Sequence, residues 1–309
     1  MNENKEITAN KQQKKRRTKK RKTVYNVIIV LLCAVLFVCL FNIGSYYLQD
    51  FSNDNMNDDL AEEFVSFNDS SASSNQASGD SSDSGGSGGS GGGKPVTVPT
   101  SIDFEKLKEQ NKDVVGWIFS KNGVINYPIL QGKDNSYYLN HLINGKKNIN
   151  GSIFMDYTSK SDFSGSNTII YGHSMDNGSM FRTLLNYKKQ SYYDKYPEIY
   201  IYTPQGNYKM VIFAAYESNS KDKVYGKIYS ETGFTNLVNY ALGKSKIKTD
   251  VKVTTDDKLV TLSTCAYSSN EARFLVMGKL VPANADTSDS SDAASSTQSG
   301  NDFSHTIFD

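Results

Sequence analysis

The stretch LVTLSTCAYSSNEARFLV, residues 259–276, consists of two β-type runs joined by a short polar segment. Val, Leu, Thr and Phe dominate the runs, and the Ser-Ser-Asn between them supplies turn chemistry, so the pair can form neighbouring antiparallel strands without having to. Cys265 closes the first run and Arg273 opens the second. Such a pairing puts both residues at one edge of a sheet. Outward from this hairpin the same texture recurs in VVGWIFS (114–120), VINYPIL (124–130), GSIFMDY (151–157), NTIIYGH (167–173), EIYIYT (198–203), YKMVIFAAYES (208–218) and VKVTT (251–255). Gly, Asn, Asp and Pro punctuate these runs. Helical spacing is confined to three places. Phe104 and Leu107 follow a capping Ser101 or Asp103, and SMFRTLLNY (179–187) spaces Met180, Phe181, Leu184 and Leu185 for one face. FTNLVNYALGKS (234–245) does the same with Phe234, Leu237, Val238 and Leu242. Strands outnumber helices and do not alternate with them, which favours a mainly β, closed or nearly closed barrel over a βαβ fold.

The flanks differ in kind. Residues 1–23 hold ten Lys/Arg against two acids, including KKRRTKKRK (14–22). Residues 24–48 carry no charge, and 49–94 are rich in Ser, Gly and Asp, with nine acids and one Lys, at the very end. The region 95–282 reads as globular, and 283–309 is a polar Ser/Asp/Ala-rich tail with five acids and no Lys or Arg. An overall charge of +1 therefore hides four blocks of opposite sign. The uncharged segment is long enough for a bilayer, which needs roughly 20 apolar residues. A cleavable signal peptide usually has a shorter apolar core and a small-residue cleavage site, which FNIGSYYLQD lacks. The reading is an uncleaved anchor, with the basic arm 1–23 cytoplasmic and everything beyond the span extracellular. Beside a membrane span, the basic arm is a topology determinant and no nucleic-acid partner is expected. Residues 49–94 read as a disordered tether and 283–309 as a disordered tail, both too polar to build a core.

Of three cysteines, only Cys265 lies outside the apolar segment, so no disulfide framework is available to the globular part. No C-x-x-C or His/Cys cluster has metal-ligand spacing, and no acidic cluster suggests calcium, so neither metal nor cofactor is expected. A lone Cys at a strand end is more often a small buried hydrophobe than a nucleophile. A thiol reacts as thiolate, and a nearby His⁺ or Arg⁺ stabilises that form. Of the three His, His305 is in the tail and His141 follows DNSYYLN, while His173 ends a strand, as Cys265 does. Strand ends hand side chains to functional loops. Cys265, His173 and Arg273 can thus converge, although each also has an ordinary reading as a packing, turn or edge residue.

The segments DVVGWI, INYPILQGKDNSYYLNH, GSIFMDY, NTIIYGHSMDNGSMF and LVTLSTCAY…EARF resemble, in order and spacing, the class B sortases, cysteine transpeptidases of Gram-positive cell surfaces. The likeness spans about residues 101–282. It implies an eight-stranded barrel with an N-terminal helix and a helix in the connection before the cysteine strand. It implies Cys265 as nucleophile, His173 as general acid/base and Arg273 as stabiliser of the oxyanion or substrate. Ser263, Tyr171, Asn135 and Leu139 fall in segments that line the family's substrate groove. Where some class B members carry an acid after the cysteine, this chain has Ala266. The reaction implied is cleavage of a surface protein's C-terminal sorting signal after Thr, through a thioacyl enzyme. The protein is then transferred to a peptidoglycan or pilin amine. A thiol peptidase and a tethered binding module with an inert cysteine are the competing readings.

Overall fold

The computed structural model describes residues 3–67, 97–228, 230–265 and 271–283, and gives only the backbone at 3–24, 46–47, 49–55 and 265. Helix α1 is Glu3–Phe64, followed by the short strands β1 (Val65–Ser66) and β2 (Ser101–Ile102) and by α2 (Phe104–Gln110). Then come β3 (Val114–Ser120), β4 (Asn126–Leu130), β5 (Phe154–Met155) and β6 (Asn167–Tyr171). Helix α3 (Gln190–Lys195), β7 (Glu198–Thr203), β8 (Gly206–Asn219), α4 (Glu231–Lys244), β9 (Leu259–Cys265) and β10 (Ala272–Pro282) complete the order. Strands β3 to β10 close a barrel in the order β10-β8-β7-β3-β4-β5-β6-β9. The expected eight-stranded barrel, with α4 in the connection before the cysteine strand, is the observed architecture.

Burial on both faces explains why several strands read as continuous apolar runs rather than alternating ones. In β3, Ile118 points into the barrel interior with Ile129, Ile170, Ile201 and Leu262. Its neighbours Trp117 and Phe119 pack outside against Leu107 of α2 and the end of α1. On another outer face Phe213, Leu275 and Met277 pack under Phe234, Leu237, Val238 and Ala241 of α4. Capping sets where the helices start: Asp103 accepts from Lys106 N at 3.1 Å, and Ser230 accepts from Gly233 N at 3.1 Å.

Four local expectations need correction. Leu242 stands 42 % exposed, because the phase set by the Ser230 cap puts Ala241 on the inner face. Residues 251–255 form no ladder, since both edges of β9 are taken by β10 and β6; Val251 and Val253 instead pack against the α4 cluster. The apolar stripe around Met180–Leu185 winds as a 3-10 helix over Arg182–Lys188.

The first part of the tether expected over 49–94 is ordered, up to Ser66. Helix α1 continues unbroken to Phe64, and Leu60, Phe64 and Val65 are buried against Leu107, Trp117, Tyr138 and Tyr202. Val65 and Ser66 pair antiparallel with Ile102 and Ser101, and Asp103 N donates to Phe64 O at 3.0 Å. Met56, Leu60 and Phe64, four residues apart, form one helical face. That face has an apolar partner on the barrel, so the segment orders despite its acids. The rest of the expected tether (68–94) and the tail beyond 283 lie outside the described residues. Within α1, Tyr25–Ser45 is long and apolar enough to cross a membrane by length and composition, with mean hydropathy 3.0.

Candidate active site

The ends of three adjacent strands build the site. Strands β9 and β10 run antiparallel, and Cys265 pairs with Arg273 across the ladder. Strand β6 lies parallel on the other edge of β9, with Tyr171 opposite Ser263. Gly172 N then donates to Ser263 O at 3.1 Å, extending the pairing one step. His173 follows on β6 as Cys265 follows on β9, each two residues beyond the Tyr171–Ser263 pair. Residues far apart in the chain thus arrive at one rim because backbone register demands it.

A cleft of about 390 Å³ opens there, and Asn135, Leu139, Tyr171, His173, Ser263 and Arg273 all line it. These are six of the seven residues singled out in the sequence. The side chain of the seventh, Cys265, is outside the described ones, and its backbone closes the strand that forms the cleft wall. A larger cavity, about 500 Å³, lies elsewhere, between Asn57 and Asp58 of α1 and the loop Asn177–Ser179. It has neither a thiol nor a histidine, so size does not mark the reactive site here. Among the described residues no cluster of three or more His, Cys, Asp or Glu is arranged to hold a metal ion.

His173 Nε2 lies 2.7 Å from Leu139 O. A carbonyl only accepts, so this bond puts a proton on Nε2. Leu139 ends the 3-10 turn Tyr137–Leu139, itself anchored by buried Tyr138, whose hydroxyl donates to Asp113 at 2.7 Å. Arg273 is half-buried, and one guanidinium N–H donates to Ala272 O at 3.0 Å.

Two of the cleft residues that were not anticipated bond directly to anticipated ones. Asp156 is buried and gathers four donors. Thr158 N and Oγ1 reach one carboxylate oxygen at 2.8 and 2.6 Å. Asn135 Nδ2 and Tyr171 OH reach the other at 2.8 and 3.0 Å. Burial works against its charge, but the bonds from Thr158, Asn135 and Tyr171 outweigh it and hold the carboxyl below the usual carboxylate range. With the folded pKa depressed, its contribution to stability is complete above the ordinary carboxylate pKa and is lost only as pH falls through the lowered value. Burial, followed by the Asp156 charge, pushes the Tyr171 phenol far upward, so it keeps its proton. Tyr225 is the second: its hydroxyl meets Ser263 Oγ at 2.8 Å and its ring stacks on Tyr171 at 6.2 Å. The turn carrying Tyr225 is capped by Asp222, a carboxylate sealed from solvent and paired with Lys244 of α4 at 3.4 Å.

The sortase-domain family profile matches residues 120–281. Sortase B of Staphylococcus aureus is 40% identical over 186 residues, covering 58% of this chain and 74% of that protein. Sortase B of Listeria monocytogenes is 37% identical over 187 residues, again covering 58% of this chain and 74% of that protein. The solved Staphylococcus aureus sortase B–substrate complex superposes with a TM-score of 0.56 at 38% identity, covering 58% of this chain and 85% of that one.

Proposed function

This chain belongs to the sortase family, and from that membership we propose that it is a membrane-anchored cysteine transpeptidase that joins surface proteins to a cell-wall amine. The observation that carries the reading is the register that sets Cys265 opposite Arg273, with His173 two residues past the end of the adjoining strand, at the rim of one cleft. In this reading the Cys265 thiolate attacks the carbonyl carbon of a Thr in a C-terminal sorting signal. The carbon–sulfur bond forms, and Arg273 stabilises the oxyanion. The peptide C–N bond then breaks, and His173 protonates the departing amine. An acceptor amine attacks the thioester, gives a proton back to His173 and expels the thiolate. Peptidoglycan precursor is the favoured acceptor, with a pilin lysine as the other amine of the same chemistry. Ser263, Tyr171, Asn135 and Leu139 hold the peptide in the cleft.

Residues 25–45 serve as the anchor, with the basic arm cytoplasmic and the barrel outside. Because α1 runs on as helix from Ser45 and first meets the barrel at Met56, the barrel is held roughly 17 Å from the span, at about 1.5 Å per residue.

The test uses the full chain in detergent with a panel of Thr-containing sorting-signal peptides, with and without an amine acceptor, followed by intact mass. A thioester adduct that vanishes on adding amine, with the ligated peptide appearing, is the expected result. Hydrolysed peptide at the same rate with or without amine identifies a peptidase. No adduct with any peptide favours the binding module.

Gly172 supplies a second check. A Cβ there sits 2.5 Å from Ile153 Cδ1 and 2.7 Å from Phe181 Cδ2, so Gly172→Ala has to displace those buried side chains or the backbone just before His173, and the rigid Phe181 ring favours the backbone. Overpacking of this kind costs about 1–3 kcal/mol. Misplacing the proton carrier is expected to lower kcat roughly 10–100-fold with KM little changed. Unchanged kcat in a G172A protein of normal melting temperature refutes the claim that this backbone sets His173.

A further inference from the structure

Resting on the proposed function, we infer that Asp156 is a positioning residue that sets the hydrogen-bonding polarity of the cleft floor. It makes Asn135 a donor and Tyr171 an acceptor toward the substrate, a pattern complementary to an amide group. The argument is an inventory of protons. Asn135 Oδ1 accepts from Tyr157 N at 3.0 Å while its Nδ2 donates to Asp156. Flipping that amide sets N–H against N–H and oxygen against carboxylate, so its orientation is fixed. One Nδ2–H remains beyond the bond to Asp156. An ionised carboxylate accepts only, so the single Tyr171 proton is committed to Asp156 at 3.0 Å. The phenol oxygen then meets anything else as an acceptor.

Both groups bond the same carboxylate oxygen and both line the cleft, so donor and acceptor are close neighbours. An amide offers its C=O to the first and its N–H to the second. An ester offers only the acceptor half and leaves the Tyr171 oxygen unmet. The other two Asp156 bonds, from Thr158, keep the carboxylate from rotating away.

Asp156→Asn is the informative change because it nearly preserves shape. The Thr158 N–H requires an acceptor, so the new carbonyl oxygen faces Thr158 and the new NH₂ faces Asn135 and Tyr171. Tyr171 then accepts from position 156, and its proton turns toward the cleft. Asn135 meets a donor where it had an acceptor. Tyr171 changes from acceptor to donor while Asn135, held by Tyr157 N, stays a donor, so the complementary pair is lost without a cavity.

The experiment compares full-length wild type, D156N and Y171F. The probe is the sorting-signal peptide most active with wild type, together with two sets of isosteres. One replaces each backbone amide by an ester, and the other replaces side-chain carboxamides by methyl esters; they tell a backbone amide from a side-chain one. For wild type, one isostere is expected to lose about tenfold in kcat/KM. For D156N, KM for the parent peptide is expected to rise about tenfold with kcat within twofold, and discrimination against that isostere to vanish. Y171F is expected to show the same KM rise, and adding D156N to it little more. It also keeps the question answerable if D156N folds poorly. Equal discrimination in wild type and D156N overturns the inference, as does a change confined to kcat.

Anisotropy with fluorescein-labelled peptide on Cys265→Ala chains separates this from the parent reading. Weaker binding in D156N without acyl transfer in wild type upholds the floor and rejects the reaction. Acyl transfer with D156N binding unchanged does the reverse.

Discussion

Cys265→Ala is expected to abolish acyl transfer, with no adduct by intact mass and turnover down by at least about 10⁴-fold. A nucleophile has no substitute in a two-step acyl transfer, because the bond it forms is the intermediate. Arg273 and His173 remain in C265A, but an oxyanion donor and a proton carrier without a nucleophile leave only unassisted attack by water. Binding is a different matter. Asn135, Leu139, Tyr171 and Ser263 line the cleft independently of the thiol, so C265A is expected to bind labelled peptide within severalfold of wild type. That split between lost turnover and kept affinity distinguishes a missing nucleophile from a damaged fold. Cys33 and Cys39 are free thiols on the surface of α1, so alkylation controls belong in a C33S/C39S background. There, one equivalent of iodoacetamide is expected to react and to stop turnover in proportion. Residual turnover in C265A above a few per cent sinks the assignment.

The barrel was legible in the chain because its strands are β-branched and aromatic runs bounded by turn residues, and such runs cannot bury themselves except against each other. Cys265 and His173 sit where a run stops and Arg273 where one starts, but that position left each an ordinary reading, and it was the resemblance of their segments to the class B sortases that singled them out. Asp156 was not. In FMDYTS it stands at the exit of a strand, where an acid ordinarily caps a turn, and it does bond Thr158 that way. Only the fold brings Asn135 and Tyr171 to its other oxygen. Tyr225 was hidden similarly, since its place depends on Asp222 and on Lys244 from α4, neither visible as a partner in sequence. The ordered end of α1 was masked by composition: acids at Asp58, Asp59, Glu62 and Glu63 lower the segment's mean hydropathy, while Met56, Leu60 and Phe64 keep a helical face.

That face leads to the second large effect. Phe64→Ala is expected to lower the melting temperature of the full chain by about 6–12 °C, given roughly 3 kcal/mol or more for truncating a buried Phe and 2–4 °C per kcal/mol in a domain of this size. Phe64 is 2 % exposed, packed with Leu60, Leu107, Trp117 and Tyr202, and its carbonyl receives the Asp103 N–H that opens α2. Loss of the ring therefore removes apolar contact from the outer face of β3 and frees β1 from β2. Hydrogen exchange is expected to quicken at residues 60–66 and 100–103 first, because undocking this segment costs less than opening the barrel. The effect should also reach catalysis. Tyr138 belongs to the same cluster, and the turn it anchors presents Leu139 O to His173 Nε2. A loosened Tyr138 leaves the imidazole less well oriented, so kcat is expected to fall severalfold while KM moves little. Tyr138→Phe, which keeps the ring but drops the bond to Asp113, should reproduce part of the kcat loss without the exchange at 60–66. Unchanged melting and exchange in F64A mean that the helix end merely rests on the barrel. The measured pattern thus tells whether α1 only adjoins the barrel or also braces the turn that holds His173.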